Sequence, residues 1–310
     1  MLKVSVIIPN YNHSSYLKER IDSVLNQTFQ DFEVIILDDC STDNSKEIIE
    51  AYRNHPKISH IVYNEKNSGS TFKQWKKGIE LSKGEWIWIA ESDDWCNSLF
   101  LETLISDTDD NLSVIYCQSV TYLPNNLQLI RHDLHPYVID IDSDKFINEY
   151  LLKGNVIYNA SMAIFKKSKF LKITSDEYTK YKFCGDWIFW SELAFLGKVR
   201  RYNRLLNNFR KTDDNNVTSR TVKLGNNYIE DVNALHYFKN KYNCNHVIYI
   251  KELKKYYFKS KEINLENPIK NKIKDNFIEI LGNKKILFWD LKYFKNKLIT
   301  NIYKKIKENV

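Results

Sequence analysis

Apolar runs alternate with amphipathic stretches through the first hundred residues. KVSVII (residues 3–8) is a short β-rich run, and SSYLKERIDSVLNQ then sets Leu17, Ile21, Val24 and Leu25 on one helical face, with Ser14 or Ser15 expected as its cap. EVIIL (residues 33–37) predicts a second strand, DDCSTDNS a turn, and SKEIIEAY a helix carrying Ile48 and Ile49. ISHIVY (residues 58–63) predicts a third strand, TFKQWKKGIELS a helix, and EWIWIA (residues 85–90) a fourth strand. Strands that alternate with helices at this spacing predict a parallel sheet covered on both faces, with ligands beyond the carboxyl ends of its strands. Three polar clusters fall at such ends: residues 9–12, 38–43 and 91–94.

After Asp94 the rhythm changes. SVIYCQSVTYL (residues 113–123) and NVIYNASMAIF (residues 155–165) read as strands, separated by mixed sequence that includes His132 and His135, expected in a surface loop. GDWIFWSELAFLG (residues 185–197) reads as an aromatic-rich helix. Beyond about Asn207 the chain turns polar and then helical, with no internal repeat. The pattern predicts one mixed α/β domain over residues 1–210 and a helical extension over residues 211–310.

A chain of 310 residues with 43% hydrophobic content can bury a sizeable core. No run of eighteen apolar residues occurs, and MLKVSVIIPNYN lacks the pattern of a signal peptide, so a soluble cytoplasmic protein is expected. Five cysteines without CxxC spacing predict reduced, mostly buried thiols. The net charge of +7 is unevenly placed: from Lys251 on, sixteen lysines face seven acids, which leaves the rest of the chain slightly acidic.

ESDD, directly after the fourth strand, sets Glu91, Asp93 and Asp94 within four positions. Carboxylates that close repel one another, and an ordinary turn could use Asn, Ser or Gly without that cost. A cation among them resolves the conflict. A dinucleotide site of the Rossmann kind does not, because the first strand-to-helix connection PNYNHSS contains no glycine, and no GxxxxGK[ST] occurs. A nucleoside diphosphate would need Mg2+ or Mn2+, for which these acids are suitable hard ligands.

SVIIPNYNHSSYLKERIDSVLNQTFQDFEVIILDDCSTDNS, then NSGS, KGEWIWIAESDD and GDWIFW, resemble in order and spacing the inverting family 2 glycosyltransferases of bacterial cell-surface polysaccharide synthesis. The resemblance covers about residues 4–197. It implies a GT-A fold, with a nucleotide-binding half over residues 1–97 and an acceptor-binding half over residues 98–210. It implies that Pro9 and Tyr11 line the base pocket, with Tyr11 stacking on the base. Asp39 would bond the base while Asp38 shapes the turn, Asp93 would contact the ribose, and Asp94 would ligate the metal on the diphosphate. Glu91 stands where relatives have the first Asp of a DxD motif and is a further possible ligand. Asp186 of GDW matches the catalytic base, although Gly-Asp before an apolar run is also a common helix start.

The resemblance implies a nucleoside-diphosphate sugar, a UDP-sugar above all, as donor and a glycan or lipid-linked saccharide as acceptor. Two departures stand out. STFKQWKKG replaces the usual Arg-Asn, which leaves Lys73, Lys76 and Lys77 as possible donor contacts, and NNFRKTDDNNVTS offers Arg210 and Lys211 without the usual histidine.

From Lys284 the tail puts Leu287, Leu291, Phe294, Leu298, Ile302 and Ile306 on one helical face with lysines elsewhere. Such a helix suits an anionic membrane surface, and equally a partner or the protein's own body. A non-catalytic nucleotide-sugar binder and an RNA binder using the basic tail are the alternatives to an enzyme; the clustered acids argue against nucleic acid at the pocket.

Overall fold

The computed structural model describes residues 2–123, 128–130, 136–211, 224–263 and 265–308. The chain divides into two compact units, Met1–Asn216 and Val217–Val310.

The first unit is built on one mixed sheet. Strands β1 (Val4–Asn10), β2 (Phe32–Asp38), β3 (Ile58–Tyr63) and β4 (Trp86–Ile89) are parallel and lie in the order β3-β2-β1-β4. β1, β2 and β4 are buried along their whole length, as runs covered on both faces must be. Helices α1 (Ser14–Leu25), α2 (Ser45–Ala51) and α3 (Thr71–Leu81) provide the cover. The chain moves outward from β1 to β2 and β3, then returns to the other side of β1 as β4. The carboxyl ends of β1 and β4 therefore flank a topological switch point, where open α/β sheets bind ligands.

Past β4 the sheet continues through β5 (Trp95–Cys96), β6 (Leu112–Tyr122), β7 (Gln128–Ile130), β8 (Val138–Ile141), β9 (Ala163–Lys166) and β10 (Lys198–Arg210), with α4 (Phe100–Ile105) and α5 (Gly185–Phe195) packed on it. β9 lies antiparallel between β4 and β6, and β10 runs parallel to β6. The register of β10 shifts between Arg201 and Leu205 and again before Asn207. Beyond the shift, Asn207 and Asn208 pair antiparallel with Cys96 and Trp95, which carries the end of β10 to the turn after β4.

Three expectations need correction. Residues 155–165 are not one strand: only Ala163–Lys166 pairs, and the preceding residues form an irregular segment with a short 3-10 turn at Ala160–Met162. Neither Ser14 nor Ser15 caps α1; the Asp43 carboxylate, arriving from the β2 turn, accepts the Ser14 N–H at 2.8 Å. β10 was not expected as a strand, because its arginines and asparagines hide the period-two signal. The five cysteines are free, and four are buried. His132 and His135 lie outside the described residues.

Among the described residues the second unit holds four helices, α6 (Asn226–Lys241), α7 (His246–Glu262), α8 (Asn267–Leu281) and α9 (Asn283–Glu308). Leu235, Phe238, Leu253, Tyr257, Phe277, Ile286 and Trp289 are buried. Asp290 of α9 accepts from Tyr257 at 2.6 Å and pairs with Lys261 and Lys274. The face of α9 that packs is thus the one with Ile286, Trp289 and Asp290. Leu287, Leu291, Phe294 and Leu298, the stripe read from the sequence, lie on a different face and are each 60–64% exposed.

Candidate active site

β1 ends at Asn10 and leads into a loop pinned to the β2 turn. Asn12, at a φ of 56°, donates its N–H to Ser41 and accepts from the Thr42 N–H at 2.7 Å. Pro9 is buried within β1, and the Tyr11 ring stands 46% exposed just past it. An open aromatic ring at a strand end is a platform for a planar guest.

Asp38 and Asp39 end β2, and both are buried. Asp38 accepts from the Asn10 amide at 2.8 Å and from the Ser41 N–H at 2.9 Å, which closes the turn. Asp39 accepts from Asn64 at 2.6 Å, from the Ser68 hydroxyl and N–H at 2.7 and 2.9 Å, and from Gln74 at 3.0 Å. The residue of α3 that reaches this carboxylate is therefore Gln74, not a lysine. Lys76 pairs with Asp176, while Lys77 donates to Asn64 and Lys73 to the Ser68 carbonyl. The buried Oε1 of Gln74 and Oδ1 of Asn10 have no hydrogen-bond partner among the described residues.

The turn after β4 is of another kind. Glu91 accepts from the Trp75 indole at 2.8 Å, yet burial, and after it the charge of Asp93, pushes its carboxyl up to about 8. Asp94 is fully buried; Asn159 and Ser161 bond one of its oxygens at 2.8 and 2.7 Å, and the Arg210 N–H bonds the other at 3.0 Å. Burial and the charge of Asp93 raise it to about 6. Asp93 is half-buried, and burial raises its carboxyl against the opposing charges of Arg20 and Arg210. Arg20, fully buried on α1, donates to the Glu91 carbonyl at 2.8 Å and lies 3.7 Å from Asp94. His13 meets Ser92 at 2.8 Å across the switch point, and burial lowers its pKa despite Asp94 and Asp43 nearby.

No group of three His, Cys, Asp or Glu side chains arranged to hold a metal ion occurs among the described residues. Mg2+ and Mn2+ at phosphate sites take one or two carboxylates and complete their shell with substrate oxygens and water. Two crowded carboxyls whose protons are held too tightly suit that role. Asp93 is the more open of the two, since the oxygens of Asp94 already serve three protein donors.

Asp186 is the second residue of α5, where the helix dipole favours a negative charge. It accepts from the Trp187 N–H and from the Asn155 amide, both at 2.8 Å. Gly185 precedes it because a Cβ there would collide with the Tyr178 carbonyl and the Phe72 ring. One irregular segment thus serves two acids: Asn155 bonds Asp186, and Asn159 and Ser161 bond Asp94. Sequence reasoning missed these three, Arg20 and Gln74. The only signals were polar residues inside a supposed strand and an arginine among the apolar positions of α1.

The family model described as Glycosyl transferase family 2 matches residues 5–174. The chain belongs to that family. Among its relatives, glycosyltransferase GlyG of Streptococcus pneumoniae is 37% identical over 107 residues, 34% of this chain and 35% of GlyG. The poly(ribitol-phosphate) beta-N-acetylglucosaminyltransferase TarS of Staphylococcus aureus is 37% identical over 117 residues, 36% of this chain and 20% of TarS. The matches therefore span about a third and a fifth of those two proteins. An uncharacterized glycosyltransferase of Methanocaldococcus jannaschii, MJ1057, is 29% identical over 252 residues, 80% of this chain and 84% of MJ1057.

This family 2 chain shares the GT-A fold of solved transferases. The crystal structure of Staphylococcus aureus TarS 1–349 in complex with UDP-GlcNAc superposes with a TM-score of 0.68 at 20% identity, over 92% of this chain and 82% of that one. The mannosyltransferase PcManGT of Pyrobaculum calidifontis, in complex with GDP-Man and Mn2+, gives 0.57 at 14% identity, over 98% and 88%.

Proposed function

We propose that this protein transfers a sugar, with inversion, from a nucleoside-diphosphate sugar to a hydroxyl of a glycan or lipid-linked acceptor in surface polysaccharide synthesis. The observation that carries the reading is the pair of acid turns at the ends of β2 and β4, with the segment before β9 tying the second of them to Asp186. Tyr11 and Pro9 take the base, Asp39 bonds it within a turn shaped by Asp38, and the Asp93–Asp94 turn receives the ribose and diphosphate end. The resemblance gives the cation to Asp94 and the ribose to Asp93, but both Asp94 oxygens already accept protein donors, so in this reading Asp93 presents a carboxylate to the cation while Asp94 and Glu91 stand beside it. Mg2+ or Mn2+, when bound, supplies the positive charge that the departing diphosphate requires. Asp186 takes the proton from the acceptor hydroxyl as its oxygen attacks from the face opposite the leaving group. No covalent intermediate with the enzyme is needed.

Calorimetry of UDP and GDP with Mn2+, and with EDTA in its place, tests the donor end. Metal-dependent binding, with UDP the tighter, is the expected result. Affinity indifferent to EDTA would remove the cation from the reading. Binding without any donor hydrolysis or transfer would leave a nucleotide-sugar-binding protein.

Residence at the inner face of the cell membrane is part of the proposal. No helix among the described residues is long and apolar enough to cross a membrane. The support is instead the exposed stripe of Leu287, Leu291, Phe294 and Leu298, with lysines such as Lys284, Lys292 and Lys295 on the same helix. Replacing Leu291 and Phe294 together by Gln should release the protein from vesicles containing anionic lipid and hardly move its melting, since both side chains are exposed. Undiminished sedimentation with those vesicles would place the contact elsewhere.

A further inference from the structure

Arg210 ends β10 beside the acid turn, and five contacts fix it there. Its N–H donates to Asp94 at 3.0 Å, and its guanidinium donates to the Asp93 carbonyl at 3.0 Å and to Glu19 of α1 at 2.8 Å. The guanidinium also lies over two aromatic rings, 4.4 Å from the centre of Tyr16 and 4.5 Å from that of Trp95. A planar guanidinium can stack between rings and donate along its edges at once; an ammonium cannot.

The direction of these contacts matters. The guanidinium touches the main chain of Asp93, not its carboxylate. It therefore leaves that carboxylate to a ligand while fixing the backbone that aims it. Glu19 and the two rings hold Arg210 in turn, and Glu19 is half exposed at the rim. We propose that Arg210 is a positioning residue for the diphosphate end of the donor, and that Glu19, Tyr16 and Trp95 act on the acid turn only through it. This rests on the donor reading given above. It adds a structural chain from an exposed carboxylate on α1, through a stacked arginine, to the orientation of Asp93. Asp93 meets the ligand; Glu19 does not.

Calorimetry with Mn2+ and UDP on the full chain tests it, with melting temperature measured on the same preparations. Arg210→Met should weaken binding about tenfold, the scale set by losing a hydrogen bond to a charged donor. Arg210→Lys should not rescue it, because one ammonium cannot serve Asp93, Glu19 and both rings. Glu19→Gln keeps the side-chain shape at an exposed site, so folding is not at stake, and should weaken binding about threefold. The double variant Glu19→Gln, Arg210→Met should bind no worse than Arg210→Met alone, because the two residues act in series. Additive losses, wild-type affinity in Glu19→Gln, or full rescue by Lys would each overturn the proposal. Wild-type protein that binds neither UDP nor GDP would overturn the donor reading, and Arg210's role with it. Wild-type binding combined with any of the first three outcomes would overturn Arg210's role alone.

Discussion

The two acid turns of the sheet are chemically alike in sequence and opposite in treatment. At the end of β2, Asp39 is met by two side-chain amides, a hydroxyl and a backbone N–H, so the fold has stabilised its charge in advance. At the end of β4, Glu91, Asp93 and Asp94 crowd together with raised carboxyl pKa values, and Arg20 offsets them only in part. The first turn is complete without a guest and can offer a neutral, polar one a fixed hydrogen-bonding edge. The second holds an unrelieved electrostatic cost that a divalent cation removes. The donor reading proposed above puts the base at the first turn and the diphosphate at the second.

The largest effect expected in this site belongs to neither turn. Asp186→Asn keeps one acceptor oxygen for either Asn155 or the Trp187 N–H and its place in the first turn of α5, but removes basicity, so transfer should slow about 10² to 10⁴-fold. Nucleotide affinity should hardly move, because a base acting on the acceptor contributes in the transition state, and the melting temperature should fall only by the loss of one hydrogen bond. Near-normal turnover would leave Asp186 a structural acid, and early melting would show that its contacts to Asn155 and Trp187 are what matter.

Sequence alone carried the parallel half well, because period, length and turn chemistry agreed over β1 to β4. ISHIVY is the strand Ile58–Tyr63, and TFKQWKKGIEL is the helix. The second half failed where polar residues serve distant partners. Asn155, Asn159 and Ser161 look like interruptions in a strand until Asp186 and Asp94 are seen to need them. β10 escaped notice because Arg200, Arg204, Asn207 and Arg210 satisfy contacts that periodicity cannot encode. The acids themselves were legible, but their difference was not. Which carboxylate is hydrogen-bonded and which is crowded depends on neighbours 16 to 116 positions away.

The contrast between the turns can be sharpened by matched substitutions. Asp93→Asn should weaken Mn2+-dependent UDP binding by about ten- to a hundredfold and lessen the effect of EDTA, since a ligand oxygen with charge is lost. Asp39→Asn should lower the melting temperature and weaken UDP in Mn2+ and EDTA alike, because an amide turned towards Asn64, Ser68 and Gln74 cannot accept all their bonds. If both variants lose affinity only when metal is present, the two turns do not divide base from diphosphate.

The smallest effect is the dependence of metal-free stability on pH, which reports on the burial and crowding of Glu91 together. Glu91, pushed up to about 8 from 4.5, keeps its proton in the folded state over a range where the unfolded chain has released it. The stability this group contributes is therefore complete below pH 4.5 and is lost as the pH rises through 8. Asp94, raised only to about 6, gives its own decline at lower pH, and Asp93 is raised as well, so the contribution of Glu91 is read from the difference between the wild type and a Glu91 variant from pH 6.5 to 8.5. Glu91→Gln is uncharged throughout and still accepts the Trp75 indole. Over that interval the wild type should lose roughly 2–4 °C more in melting temperature than the variant. Mn2+ with UDP should shrink the difference in part, because a cation at Asp93 offsets the repulsion that adds to burial in holding the Glu91 proton. Parallel melting curves for the two proteins would mean that the folded state does not hold the Glu91 proton, and that the two acid turns differ in their hydrogen bonding alone.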